Sequence, residues 1–282
     1  MGYLFGLIGY PAKHSRSPWI HHHFLDQQHE RGLYRIFETS PADLQSTLSS
    51  MKQLQVDGFN VTVPYKEDIL QYVDTLDPYA EKVGAVNTVL YQDGEWIGYN
   101  TDGKGFVRSL LEAYPEVDLS SCKALCIGAG GASRGIYTAL LEKNMTRVDI
   151  ANRTPERANT IVALNDQHTP SLAISLEEAE KSLEQYDIIV QTTSVGMPPN
   201  DDQQIISLAN VKKGAIVADI VYKPFETVFL EDAKQKGARV LHGHGMLIYQ
   251  AALAYEIWTN TTIQADELLR KFEQQLKGDE TC

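Results

Sequence analysis

Cys126-Ile127-Gly128-Ala129-Gly130-Gly131-Ala132-Ser133-Arg134-Gly135 carries the end of an apolar run at 124–127 into a helical pattern. Gly128 permits a tight turn, and Gly130 lets the backbone approach a ligand. The helix start adds N–H groups that have no intrahelical partner. Strand, glycine turn and helix in this order form a βα unit with a cradle suited to a pyrophosphate; a plain tight turn is the competing reading. The third position of the general fingerprint holds Ser133, so the helix is expected to lie slightly farther from the strand.

The alternation continues on both sides. C-terminally, apolar runs at 147–151, 172–174, 188–191 and 215–219 are separated by helical patterns after Ser133, after Pro155 and over about 176–183. Ile188-Ile189-Val190 and Ile216-Val217-Ala218 are continuous apolar runs, as expected of parallel strands covered on both faces. Residues 120–245 therefore read as a Rossmann-type, doubly wound dinucleotide-binding domain. N-terminally, strands at 4–8, 34–37 and 58–63 alternate with helices at about 18–30 and 41–51, the rhythm of a mainly parallel α/β domain. Runs at 85–91 and 96–99 flank Asp93-Gly94, a hairpin turn signal. A helix over 106–113 stops before Pro115, leaving 115–121 as the linker candidate. The expected division is 1–114 for a substrate-binding catalytic domain and 120–245 for the nucleotide, with a last helix over about 246–277 completing the first domain.

The strand at 147–151 ends in Asn152-Arg153-Thr154, where an NAD site would carry an acid for the ribose 2′-hydroxyl. Thr154-Pro155 reads as an N-cap and first helical residue, which puts Arg157 in the first turn near Arg153. Cations there are opposed by the helix dipole unless an anion is present. A 2′-phosphate would satisfy both guanidinium groups, so NADP is favoured over NAD. A solvated Arg157 is the alternative.

With 25 Lys+Arg against 37 Asp+Glu the formal net charge is −12, which argues against nucleic acid as partner. A 43% hydrophobic, 22% charged chain of 282 residues is expected to be globular, with two cores. Cys122, Cys126 and Cys282 are too few and wrongly spaced for a disulfide framework or a zinc site. His21-His22-His23 occupy successive helix positions and cannot converge on one ion, so no metal is expected. No run approaches the roughly 20 apolar residues that span a bilayer, and the N-terminus lacks a cationic start. A cytoplasmic protein without a membrane partner is the expectation, with monomer against homodimer left open.

Polar clusters follow the first-domain strands: His14-Ser15-Arg16-Ser17-Pro18, Asn60-Val61-Thr62-Val63-Pro64-Tyr65-Lys66, Asn87-Thr88 and Asn100-Thr101-Asp102. Each also makes a good helix cap or turn. Together with Ser15-x-Ser17-Pro18-x-x-His21, Gly84-Ala85-x-Asn87-Thr88, Thr193-Ser194-x-Gly196-Met197, Asp219-x-x-Tyr222-x-Pro224 and Gly243-x-Gly245-Met246-Leu247-x-x-Gln250, they occur in an order that resembles the shikimate dehydrogenase family over nearly the whole chain. The resemblance implies NADP-dependent interconversion of shikimate and 3-dehydroshikimate, a step of aromatic amino-acid biosynthesis. It implies Lys66 and Asp102 as the catalytic pair, both also touching substrate, and Ser15, Ser17, Thr62, Asn87, Tyr222 and Gln250 as substrate ligands. For the cofactor it implies Gly128, Ala129, Gly130, Gly131, Ala132, Asn152, Arg153, Thr154 and Arg157, with Ile220 and Gly243 bordering the nicotinamide. The family often has Asn where this chain has His22.

Hydride transfer at a secondary alcohol also requires a proton to reach or leave the oxygen. A free lysine titrates near pH 10.4, so a charged Lys66 is expected to donate the proton to the ketone and, in the reverse direction, to stabilise the alkoxide. Lys66 and Asp102 are read as one acid–base unit. The alternatives are a quinate/shikimate dehydrogenase of broader specificity and a non-catalytic ligand sensor.

Overall fold

The computed structural model describes residues 2–166 and 169–279, so Cys282 lies outside the described residues. Two compact units form: the first runs to Thr101 and is rejoined by Gln250–Leu268, while the second is Asp102–Tyr249 and resumes at Leu269.

In the first unit the elements are β1 (Tyr3–Gly9), α1 (Ser17–Gln27), β2 (Gly32–Glu38), α2 (Leu44–Gln53), β3 (Gly58–Val61), β4 (Thr75–Leu76), α3 (Pro78–Val83), β5 (Thr88–Gln92) and β6 (Glu95–Tyr99). They build a six-stranded sheet of order β2-β1-β3-β5-β6-β4. Pairings β1–β2, β1–β3 and β4–β6 are parallel, and only β5 runs against its neighbours. The β5–β6 pair is closed by the hairpin at Asp93 and Gly94, whose φ angles of 53° and 91° supply the left-handed pair that a tight β-turn needs. Buried Ile8, Phe59, Val61, Tyr65, Val86, Val89 and Trp96 pack with Leu48 and Met51 of α2 on one face of the sheet. Short α3 forms because Asp77 accepts from the Tyr79 N–H at 3.0 Å and Gly84 (φ 67°) ends it.

In the second unit they are α4 (Asp102–Ala113), β7 (Lys123–Ile127), α5 (Gly131–Leu141), β8 (Arg147–Ala151), α6 (Pro155–Val162), β9 (Ala173–Ile174), α7 (Leu176–Ser182), β10 (Ile188–Gln191), β11 (Ile216–Asp219), α8 (Val228–Gln235) and β12 (Arg239–Leu241). All pairings of the β12-β11-β10-β7-β8-β9 sheet are parallel. This is the doubly wound order, in which the winding direction reverses between β7 and β10. β10 and β11 are buried along their whole length, as their continuous apolar runs require.

The C-terminal helix expected over about 246–277 is two helices, α9 (Gly243–Thr259) and α10 (Asp266–Asp279). Asn260 takes a left-handed φ of 53° after α9, a conformation that Asn tolerates and that stops a helix. α9 changes unit between Tyr249 and Gln250. Its later part anchors the first unit: Trp258 donates to the Val89 carbonyl at 2.9 Å and stacks on Phe5 at 4.6 Å. α4 belongs to the second unit, so the break falls at Thr101/Asp102 and not within 115–121.

Candidate active site

The first unit gathers its polar clusters at one end of its sheet. Ser15 and Ser17 follow β1, and Thr62 and Lys66 follow β3. Asn87 immediately precedes β5; because β5 is antiparallel, its beginning lies at the same edge where β1 and β3 end. The Ile8 carbonyl accepts from Thr62 N–H at 2.9 Å, and the Lys66 carbonyl from Val86 N–H at 2.8 Å, so the Thr62–Lys66 turn is held from both sides by backbone. Ser15 Oγ donates to Ser17 Oγ at 3.1 Å and accepts from Ser17 N–H at 3.2 Å. One serine of the pair thus organises the other at the start of α1, whose capping residue Arg16 makes no side-chain cap bond.

Beneath these groups runs a buried polar chain. Tyr34 donates its hydroxyl to Asn60 Oδ1 at 2.7 Å; Asn60 Nδ2 donates to Asn87 O and Thr88 Oγ1, each at 3.2 Å. Asn87 Oδ1 accepts from Thr101 N–H at 2.8 Å and from Thr88 Oγ1 at 2.9 Å. Asn87 Nδ2 donates to Thr101 Oγ1 at 2.9 Å and to Gln250 Oε1 at 3.4 Å. Two expected substrate ligands, Asn87 and Gln250, are therefore brought together, and the orientation of Asn87 is set by Asn60 and Thr101. Those two residues stand in the quoted motifs, but their supporting role is visible only in the fold. Gln250 lies midway along α9 and not near a helix start. Asp102 follows Thr101 directly, is 7% exposed, and opens α4, where the helix dipole favours an acid.

The three successive histidines of α1 point apart, as helix geometry demands. His21 is buried and stacked on Tyr34 at 4.4 Å; burial pulls its pKa down to about 3. His22 Nε2 accepts from Tyr34 N–H at 3.4 Å, and His23 Nδ1 bonds the Trp19 carbonyl at 2.8 Å. The His22 departure from the family pattern is thus a contact with β2.

In the second unit the strand ends Ala151, Ile127, Gln191 and Asp219 stand side by side in register. The segments that follow them therefore share one edge of the sheet, and these carry Gly128–Ala132, Asn152–Arg157, Ile220 and Tyr222; Gly243 follows β12. Gly128 has φ 121°, and a Cβ there would come within 2.5 Å of Thr192 Oγ1. At Gly130 and Gly131 a Cβ would meet nothing within 4 Å. One glycine is demanded by the turn, and two leave space above a helix N-terminus, the shape a pyrophosphate fills. The residues present thus fit a dinucleotide.

Ser133, at the third position of the fingerprint, is fully buried, and its hydroxyl donates to the Gly128 carbonyl at 2.8 Å, tying the first turn of α5 to the glycine turn. Thr154 occupies the cap of α6 without a side-chain cap bond; Asn152 Nδ2 donates to its carbonyl at 2.9 Å instead. Arg153 and Arg157 are exposed around this cap. Tyr222 packs its ring near Phe272 of α10 at 6.4 Å.

A six-stranded parallel sheet of this order, with a glycine cradle at its switch point and two arginines around the helix cap that follows the neighbouring strand, defines a dinucleotide-binding protein of the Rossmann class. Three family models match in chain order: a shikimate dehydrogenase substrate binding domain over residues 7–89, a shikimate/quinate 5-dehydrogenase over 110–222 and a shikimate 5′-dehydrogenase C-terminal domain over 243–270. The chain belongs to the shikimate dehydrogenase family. It is 48% identical over 274 residues to a shikimate dehydrogenase (NADP(+)) of Oceanobacillus iheyensis, covering 96% of this chain and 98% of that protein. A shikimate 5-dehydrogenase from Thermus thermophilus, crystallised with NADP(H) and shikimate, is 31% identical with a TM-score of 0.86, covering 97% and 99% of the two chains. One from Listeria monocytogenes, in complex with shikimate and NAD, is 32% identical with a TM-score of 0.89, covering 96% of each chain.

Proposed function

We propose that the chain catalyses the reversible NADP-dependent reduction of 3-dehydroshikimate to shikimate, in the cytoplasm, as a step toward chorismate and the aromatic amino acids. The observation that carries the reading is the open cradle at Gly130 and Gly131 beside the exposed Arg153 and Arg157, in a chain of this family. The reduced cofactor, when bound, supplies the hydride that reaches the carbonyl carbon. Lys66 donates the proton that the carbonyl oxygen takes up, so C=O becomes CH–OH with charge and atoms balanced. In the oxidation direction the step runs in reverse: the hydroxyl proton returns to the neutral Lys66 amine as the hydride leaves, and Asp102, the other half of the pair, stabilises the ammonium that forms.

Ser15, Ser17 and the Tyr222 hydroxyl bind the substrate carboxylate, while Thr62, Asn87, Asp102 and Gln250 meet its ring hydroxyls. The peptide N–H groups of Gly128–Ala132 take the pyrophosphate. Asn152, Arg153, Thr154 and Arg157 take the adenosine 2′-phosphate, and Ile220 and Gly243 border the nicotinamide. The test is the absorbance of reduced nicotinamide when the purified chain is given shikimate and NADP, with quinate and NAD in parallel. Turnover with shikimate and NADP well above the other pairings is expected. No turnover with any pairing overturns the enzymatic reading, and equal turnover of quinate establishes the broader enzyme.

A further inference from the structure

We propose that Asp219 is a positioning residue: its buried carboxylate ties the segment after β10 to the segment after β11 and so sets Ile220 and Tyr222 in place. The proposal rests on the roles given above to those two residues. Asp219 ends β11 and is 2% exposed. Its Oδ1 accepts from Gln191 Nε2 at 3.1 Å and from Val221 N–H at 2.9 Å; its Oδ2 accepts from Thr227 Oγ1 at 2.8 Å. Each partner stands at a junction. Gln191 ends β10 and gathers the next turn, donating to the Val195 carbonyl at 2.9 Å and accepting from Thr193 N–H. Thr227 caps α8 by accepting from Leu230 N–H at 3.3 Å. The Gln191 carbonyl accepts from Ile220 N–H at 3.1 Å. Gly243 lies so close that a Cβ there would collide with the Ile220 and Val221 carbonyls.

Gln191 Nε2 and Val221 N–H can only donate, and Thr227 donates as well, so a carboxylate meets all three; an amide keeps the two bonds at Oδ1 but replaces the accepting Oδ2 by a donor facing a hydroxyl that already accepts from Leu230 N–H. Among the described residues Asp219 makes no ion pair, so an uncompensated acid is buried between two segments that already have backbone bonds. Burial raises its pKa to about 6, against the opposing pull of Val221 N–H and Thr227. An acid buried at such cost is weak evidence for stability, but it does fix two irregular segments against each other. What it holds is the peptide between Ile220 and Val221, and with it the start of the segment that carries Tyr222, whereas its three partners all lie away from Arg153 and Arg157.

The experiment compares Asp219→Asn, Thr227→Val and Thr227→Ser with the parent enzyme. It measures kcat and KM for shikimate, together with calorimetric binding of adenosine 2′,5′-bisphosphate, which probes the Gly-loop and arginine side alone. Asp219→Asn and Thr227→Val are expected to lower kcat/KM for shikimate about tenfold or more. Both should leave the bisphosphate Kd within about twofold, and Thr227→Ser should restore the parent values. Unchanged kcat/KM in Asp219→Asn overturns the proposal. Loss of bisphosphate binding in step with activity also overturns it, because the carboxylate then serves the folding of the whole unit. Tyr222→Phe separates the reading beneath: if it leaves KM for shikimate unchanged, the role given to Tyr222 fails, whatever Asp219→Asn does.

Discussion

Lys66 and Arg153 carry the two sharpest single-residue expectations. Removing a general acid–base group costs about a hundredfold or more in kcat, so Lys66→Ala should lower kcat by that much with little change in KM for shikimate. A preserved kcat with a large rise in KM would reduce Lys66 to a binding group. With Arg153 on the 2′-phosphate, as proposed, Arg153→Ala should weaken NADP selectively, because NAD lacks that phosphate; equal losses with both cofactors would remove the assignment. Asp219 carries a stability signature of its own. Its pKa is raised from 3.8 to about 6 by burial, so the folded chain holds this proton more tightly than the unfolded chain. Stability is therefore present below about pH 4 and is lost as pH rises to 6, by on the order of 3 kcal/mol. Asp219→Asn should accordingly gain melting temperature relative to the parent as pH rises from 4 to 7, even as activity falls. Melting curves whose offset is the same at every pH would contradict that.

The glycine turn before α5 separates the demands of folding from those of binding. Gly128→Ala places a Cβ at φ 121° against Thr192, so it should cost on the order of 1–3 kcal/mol of stability. Gly130→Val adds atoms into open space; thermal stability should hold while NADP affinity falls at least about tenfold. Equal destabilisation by both changes would mean the cradle is structural. The turn is readable because its chemistry is local: the glycines, the preceding apolar run and the helix after them are contiguous. The strands β8 and β10 are equally legible, being short apolar runs bounded by polar residues. Other elements are not. β12 and the two-residue β4 carry too few residues for a period, and α3 is a single capped turn and a half marked only by its Asp77-Pro78 start. The split between α9 and α10 is signalled only by Asn260-Thr261-Thr262, which an apolar pattern on both sides conceals.

Two cores in one chain give the molecule a pH response that its net charge of −12 does not describe. His21 in the first unit and His244 in the second are both held neutral by burial, with pKa values pulled from 6.5 to about 3 and about 4. The unfolded chain binds these protons first, so stability present above pH 6.5 is lost as pH falls, at up to about 1.4 kcal/mol per pH unit for each. His21→Phe, within a cluster of Phe24, Tyr34, Tyr255 and Trp258, should flatten the fall in melting temperature between pH 6.5 and 4. Parallel curves would discount His21. Attraction for an anionic substrate and cofactor must likewise be local, against an unfavourable overall field, and the sources proposed for it are Lys66, the arginines and the helix N-terminus.

Fold class and the nucleotide cradle were readable from the linear chain, because each depends on side-chain type and near-neighbour spacing, whereas Lys66 and Asp102 stand out only through the family resemblance. The antiparallel pairing of β5 with β3, which brings Asn87 to the edge of Thr62 and Lys66, was not readable in that way. Neither were the Tyr34–Asn60–Asn87–Thr101 chain, the return of Gln250 to the first unit, and the closure of Asp219 with Gln191 and Thr227. These join residues far apart in sequence, and which buried donor meets which acceptor is settled only when both have lost their water in the same packed interior.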